Sequence, residues 1–284
     1  MNNNQRSLHL LTETTFHTSY LISMWRNWCT KSGRCCSIAI RKNQPDTATL
    51  ARRQSLHQRL SGKRHLEQCE HNELLDTYPG LTASEESMIS EFGIPAGCAA
   101  GEDICWLGDD INATPAKKWL AGLQARRARP YILLFLDQIF DQEWIDATDR
   151  QLINAHSALL PWARGNNSIE QVVALGEPQW LYRAAGGTVH YIDAGVDTGP
   201  IICTRPLAEP LAFDSVWTLK SHCFMTAFSL LIEIADRLVA GETPAARSPD
   251  PSEFGPNYRA GDFDKACQQR AERQFLRMRA NLQG

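Results

Sequence analysis

Residues Leu152–Gly165 read Leu-Ile-Asn-Ala-His-Ser-Ala-Leu-Leu-Pro-Trp-Ala-Arg-Gly, and the rest of the chain is arranged around them. An apolar start, Leu152-Ile153, runs into two polar side chains, Asn154 and His156, at i and i+2. In an extended strand this spacing places both on one face and Ala155 on the other. Leu159, Leu160 and Pro161 then turn the chain away. An amide and an imidazole side by side at the C-terminal end of a strand make a candidate pair of transition-state stabiliser and general acid/base. The bland alternative is a hydrogen-bonded turn with no chemistry.

A second stretch, Gly186–Ile202, weighs against that alternative. Its alternating strand, Thr188–Ile192, enters a short loop holding Asp193, Gly195, Asp197 and Gly199. Pro200 then opens another apolar run, expected to be a strand through Pro206.

Together the two stretches resemble the folate-dependent formyltransferases. That family's pattern is Asn-x-His-x-x-Leu-Leu-Pro-x-x-Arg-Gly followed by a strand and Asp-x-Gly-x-Asp-x-Gly-Pro. Here it falls on Asn154, His156, Leu159, Leu160, Pro161, Arg164 and Gly165, then on Asp193, Gly195, Asp197, Gly199 and Pro200. Ser157 stands where the family often has Pro, and Trp162-Ala163 precede Arg164. The resemblance covers roughly Leu8–Glu209, most closely Ile153–Ile202. It implies a Rossmann-like α/β fold with a mostly parallel sheet and helices on both faces. It also implies transfer of a formyl group from 10-formyltetrahydrofolate to a nitrogen. Asn154, His156 and Asp197 are the implied catalytic residues. Gln138, Ile139 and Phe140, with Asp193, Ala194, Gly195 and Val196, are the implied pterin contacts.

Composition sets bounds on this reading. At 284 residues, with 43% hydrophobic and 21% charged residues, the chain can bury a full core. A net charge of −3 argues against a nucleic-acid partner. No apolar run has membrane-spanning length, and the polar start lacks a signal-peptide core. The nine cysteines form no Cys-x-x-Cys pair and read as reduced, mostly core thiols of a cytoplasmic protein, with Cys35-Cys36 in a buried strand. The one His/Cys cluster, His65, Cys69 and His71, lacks a zinc spacing, so no metal is expected.

In chain order, the strand Leu8–Thr12, the helix Thr18–Lys31 and the strand Cys35–Ile40 open a doubly wound α/β pattern, with Gly33 capping the helix. Tyr20, Met24, Trp25 and Trp28 fall at helical spacing and read as core. Lys42–Pro79 reads as amphipathic surface helix. Thr82-x-x-Glu85 is a capping box for a helix ending near Phe92 and Gly93. Ile94–Ala99 reads as a brief strand. Thr114-Pro115 starts a helix to Arg127, Tyr131–Leu136 reads as a central parallel strand, and Gln142–Ala147 as a short helix. A long helix runs from Asp214/Ser215 to Ala240, with Leu219, Cys223, Leu230, Ile234 and Leu238 as its apolar stripe. Residues 1–243 are expected to form the catalytic domain. Residues 244–284 are expected to be a Pro-rich linker (Pro244–Pro256) and a solvated helical tail capped by Asp262.

The acceptor is read from what the first turn lacks. Phosphate-binding relatives place a Gly-rich loop after the first strand, whereas this chain has Glu13-Thr-Thr-Phe-His-Thr-Ser19. A phosphorylated ribonucleotide acceptor is therefore not expected, and the tail is too short for the β-barrel that methionyl-tRNA formyltransferases add. A small amine or hydroxylamine remains; in its Trp-containing first helix and its Ser157 and Trp162 departures the chain resembles the hydroxyornithine formyltransferases of siderophore pathways more than the sugar enzymes. The alternatives are a nucleotide-linked amino sugar, a formyltetrahydrofolate hydrolase and a non-catalytic folate-binding module.

Overall fold

The computed structural model describes residues 6–34, 37–125 and 130–283. Cys35 and Cys36, expected in a buried strand, and Arg127, the expected end of a helix, lie outside them. The elements in chain order are β1 (Ser7–Thr12), α1 (Phe16–Ser32), β2 (Ser37–Ile40), α2 (Thr47–Leu60), α3 (Gln68–Thr77), α4 (Ala83–Phe92), β3 (Ile104–Trp106) and α5 (Thr114–Gln124). They continue with β4 (Pro130–Leu134), α6 (Gln142–Ala147), β5 (Leu152–His156), β6 (Arg164–Gly165), α7 (Ser168–Ala174), α8 (Pro178–Ala184) and β7 (Gly186–Tyr191). The chain closes with β8 (Ile201–Pro206), α9 (Val216–Val239), β9 (Asn257–Tyr258) and α10 (Lys265–Gln283). The contacts divide into two compact units, Met1–Ile153 with Ile234–Thr243, and Asn154–Glu233 with Pro244–Gly284.

The first unit is the parallel part of a Rossmann-like α/β fold. Its strands lie in the order β3-β2-β1-β4, all paired in parallel. Leu10 stands between Ile38 and Leu133 in register. Strands flanked by helices become unbroken apolar runs, and Pro130–Leu134 is buried at every position. Helix α1 starts two residues earlier than its apolar spacing suggests. The cause is tertiary: Glu85, from the capping box of α4, accepts the backbone N–H of His17 at 2.9 Å and satisfies one orphan donor of the first turn. Trp25 and Trp28 of α1 are buried as expected, and Met24 is half-buried.

Two expectations fail in this unit. Residues 94–99 form no strand; Ile94 makes one isolated bridge to Ser61, and Pro95 removes a donor a ladder would need. The edge strand is instead Ile104–Trp106, three half-buried residues too short to show a pattern. The surface segment 42–79 holds two helices, α2 and α3, in place of one.

The second unit carries β5-β7-β8, with β7 and β8 antiparallel and a bulge between Val189 and His190. Its core corrects the picture of the C-terminal segment. On α10, Cys267, Ala271, Phe275 and Met278 are buried against Ile169, Val172 and Val173 of α7, so the helix has an apolar stripe at 3.6-residue spacing beneath its charges. Asp264, in place of Asp262, caps it through the Cys267 N–H at 2.7 Å. The Pro-rich stretch is tied down by Arg247 to Ile201 and by Gly255 N–H to Pro161 O. Three of the seven described cysteines are buried and Cys69 is exposed, so "mostly core" does not hold among them. Among the described residues, no helix is long and apolar enough to cross a membrane.

Candidate active site

The end of β5, the turn after it and the loop after β7 bring Asn154, His156 and Asp197 together within the second unit. Asn154 and His156 are 5% and 8% exposed. His156 Nε2–H donates to Ala163 O at 2.8 Å, which leaves Nδ1 to exchange a proton. That nitrogen lies 3.6 Å from Asp197 Oδ2. Burial lowers the pKa of His156, while Asp197 and the Ala163 carbonyl pull it back. The resting ring is therefore neutral near pH 7, a base that becomes an imidazolium beside a carboxylate when it takes a proton.

Asp197 is set by both motifs. Its φ of 51° lies in the left-handed region, which Asp enters more readily than most non-glycine residues. Gly165 N–H donates to Asp197 Oδ2 at 2.8 Å. Burial pushes the carboxyl up, but His156, His190 and that N–H together hold it well below the usual carboxylate range.

The Arg164-Gly165 pair of the first motif thus has a structural task. Arg164 donates to Gly255 O and Val196 O, and its guanidinium lies 4.9 Å from the Phe254 ring centroid. Gly165, at φ 82°, has no room for a side chain: a Cβ there would come 2.0 Å from Tyr258 O.

His190 is the site residue that sequence reasoning passed over. Its Nδ1–H donates to Tyr191 O at 2.8 Å. Its Nε2 faces the Asn154 amide at 3.1 Å and Asp197 Oδ1 at 3.4 Å. The signal was present, because Thr188 and His190 repeat the i, i+2 polar spacing of Asn154 and His156. Thr188 Oγ1 donates to Ala158 O and accepts from Leu160 N–H, pinning the turn after β5. The bulge at Val189/His190 aims the imidazole at the site.

The expected pterin contacts lie in both units. In the second, Asp193 accepts from Gly195 N–H and the Thr198 hydroxyl, which shapes the loop and leaves Ala194 and Gly195 exposed and Val196 half-buried. In the first, Gln138 accepts from Ile111 N–H and Ile139 O accepts from the Asn112 amide. Ile139 is 60% exposed, whereas Phe140 is buried against Trp144. The turn after β1 is charged: Arg41 Nη2 bridges Glu13 Oε2 at 2.8 Å and Asp137 Oδ1 at 2.9 Å. Burial and then Asp137 raise the pKa of Glu13.

An amide, a neutral imidazole and an ionised carboxylate thus meet on an α/β fold, an arrangement able to exchange a proton and to donate a hydrogen bond. Residues 113–215 match the family model described as formyl transferase, and the resemblance carried by the two motifs stands on that match. The chain is 27% identical over 143 residues to the methionyl-tRNA formyltransferase of Microcystis aeruginosa, covering 50% of this chain and 42% of that one. It is 36% identical over 80 residues to the phosphoribosylglycinamide formyltransferase of Mycobacterium tuberculosis, covering 28% and 34%. It thus spans less than half the length of these relatives. Among solved structures, a sugar 3N-formyl transferase in the presence of dTDP and 5-N-formyl-THF superimposes with a TM-score of 0.50 and 13% identity, covering 95% of this chain and 79% of that one. That likeness is one of fold.

Proposed function

We propose that the chain transfers a formyl group from 10-formyltetrahydrofolate to the nitrogen of a small amine or hydroxylamine, with N5-hydroxyornithine as the leading acceptor. The observation that carries this reading is the buried meeting of Asn154, His156 and Asp197. Attack by nitrogen on a formyl carbon develops an oxyanion and frees a proton. The Asn154 amide, positioned by His190, is a donor for the oxyanion. His156 Nδ1 takes the proton, and Asp197 stabilises the resulting imidazolium. The same imidazolium can return the proton to the folate nitrogen as it leaves. The exposed backbone at Ala194 and Gly195 would hold the pterin.

The charged turn after β1 supports a small zwitterionic acceptor. Two carboxylates to one guanidinium favour an ammonium over a phosphate, and a hydroxylamine nitrogen is uncharged and nucleophilic near pH 7. A nucleotide-linked amino sugar is the second reading, favoured by the fold likeness to the sugar 3N-formyl transferase. The test is a panel of ornithine, N5-hydroxyornithine, nucleotide-linked amino sugars and buffer alone, each with 13C-formyl donor and scored by mass. Label on N5-hydroxyornithine above all others supports the reading. Preferential label on a sugar replaces the acceptor, and labelled formate alone points to hydrolysis.

A further inference from the structure

The second unit buries another pair of opposite charges that the transfer chemistry does not use. Glu170 on α7 and Lys220 on α9 are 3% and 4% exposed. Lys220 Nζ lies 3.3 Å from Glu170 Oε2, a close charge contact without the alignment of a hydrogen bond. The same ammonium donates to Ser157 Oγ at 3.0 Å and sits 4.6 Å from the centroid of the Phe224 ring. A buried ion pair costs its desolvation and is often no better for stability than well-packed apolar residues. Fold stability alone therefore gives a poor account of it.

Its location gives a better one. Ser157 directly follows His156. The turn beyond is already held by Thr188 to Ala158 and Leu160, and by Leu159 N–H to Ala184 O. Lys220 adds the tie nearest the imidazole, and it alone among these brings charge.

We propose that Lys220, anchored by Glu170, is a positioning residue for His156, clamping the Ser157 turn and setting a positive charge behind the imidazole. The role of His156 as base rests on the formyl-transfer reading; the clamp and the charge do not. The groups that face the ring are Asp197 from the loop after β7, His190 from β7, the Ala163 carbonyl, and Lys220 from α9 with Glu170 of α7 behind it. Asp197 favours the imidazolium, whereas His190 and Lys220 oppose it. Burial is the main reason the ring stays an unprotonated base at rest, and the ammonium adds to it against the pull of Asp197.

The test is a pH titration of the His156 ring nitrogens by 15N NMR, assigned against His156→Gln. It compares wild type, Lys220→Arg, Lys220→Met and a Glu170→Met/Lys220→Met double variant, which removes both charges if the single apolar change does not fold. The midpoint of His156 is expected to rise by about half a pH unit or more in Lys220→Met and in the double variant, and to stay at the wild-type value in Lys220→Arg. The acidic limb of kcat/KM should move with it, with KM for folate unchanged. A folded double variant with an unmoved His156 midpoint would overturn the proposal. Because the titration needs no substrate, a shifted midpoint without any formyl acceptor would count against the formyl-transfer reading alone.

Discussion

Acidifying the protein from pH 7 should weaken it through one residue far from the candidate catalytic trio in sequence. His57, on α2, is completely buried. Its Nδ1–H donates to Pro95 O at 2.7 Å, and its Nε2 accepts from Tyr78 OH at 2.6 Å. The ring also stacks on Phe16. Only the neutral tautomer makes both bonds, and burial lowers its pKa from 6.5 to about 4, with Arg53 adding to the effect against the opposing Pro95 carbonyl. The folded value lies below the unfolded one, so the unfolded chain takes the proton first. The stabilisation is complete above pH 6.5 and is lost as pH falls toward 4. The whole window is worth about 3 kcal/mol, and about 2 kcal/mol is gone by pH 5. His57→Gln supplies an amide N–H for Pro95 and an oxygen for Tyr78 without titrating. It should cost about 1 kcal/mol at pH 7, overtake wild type at about pH 6 and lead it by about 1 kcal/mol at pH 5. Urea unfolding of both proteins at fixed salt between pH 7 and pH 4 reads the difference, from which groups common to both cancel. Parallel stability curves would refute the reasoning.

Two glycines give further expectations. Gly165→Ala places a Cβ 2.0 Å from Tyr258 O at a φ of 82°, so it should cost about 1–3 kcal/mol in a thermal melt and disturb the N–H that holds Asp197; a wild-type melting temperature would contradict this. Gly195→Val meets the Thr198 hydroxyl at 2.0 Å, a side chain that can move, so the protein should fold. Its affinity for 10-formyltetrahydrofolate by calorimetry should fall roughly tenfold or more, and unchanged affinity would remove the loop from the folate site.

How much of this was legible in sequence depended on how local the signal was. The strand of the candidate site was legible because Asn154 and His156 share a face by spacing alone, and the capping box of α4 because Thr82 and Glu85 satisfy each other within one turn. The unbroken apolar run of β4, set between chain breakers, was legible as a buried strand. The misses came from contacts distant in sequence. Glu85 extends α1 back to Phe16. β3 exists because Ile38 and Ile40 offer it an edge, not because Ile104–Trp106 has a pattern. α7 and α8 are seven residues each, too short to show a period. The apolar stripe of α10 was masked by its arginines, and Lys220 carries no signal in sequence because Glu170 and Ser157 reach it only in the fold.

The central claim is that His156, with Asn154 and Asp197, moves a formyl group off folate. The most direct measurement is the first-turnover release of tetrahydrofolate from 10-formyltetrahydrofolate in the presence of N5-hydroxyornithine, by wild type, Asn154→Ala, His156→Ala and the double variant, each confirmed folded by its melt. Wild type should release tetrahydrofolate in step with formylated product. Each single variant should be slower by about a hundredfold or more, and the double variant little worse than the slower single. Release at the wild-type rate by folded His156→Ala would contradict the account.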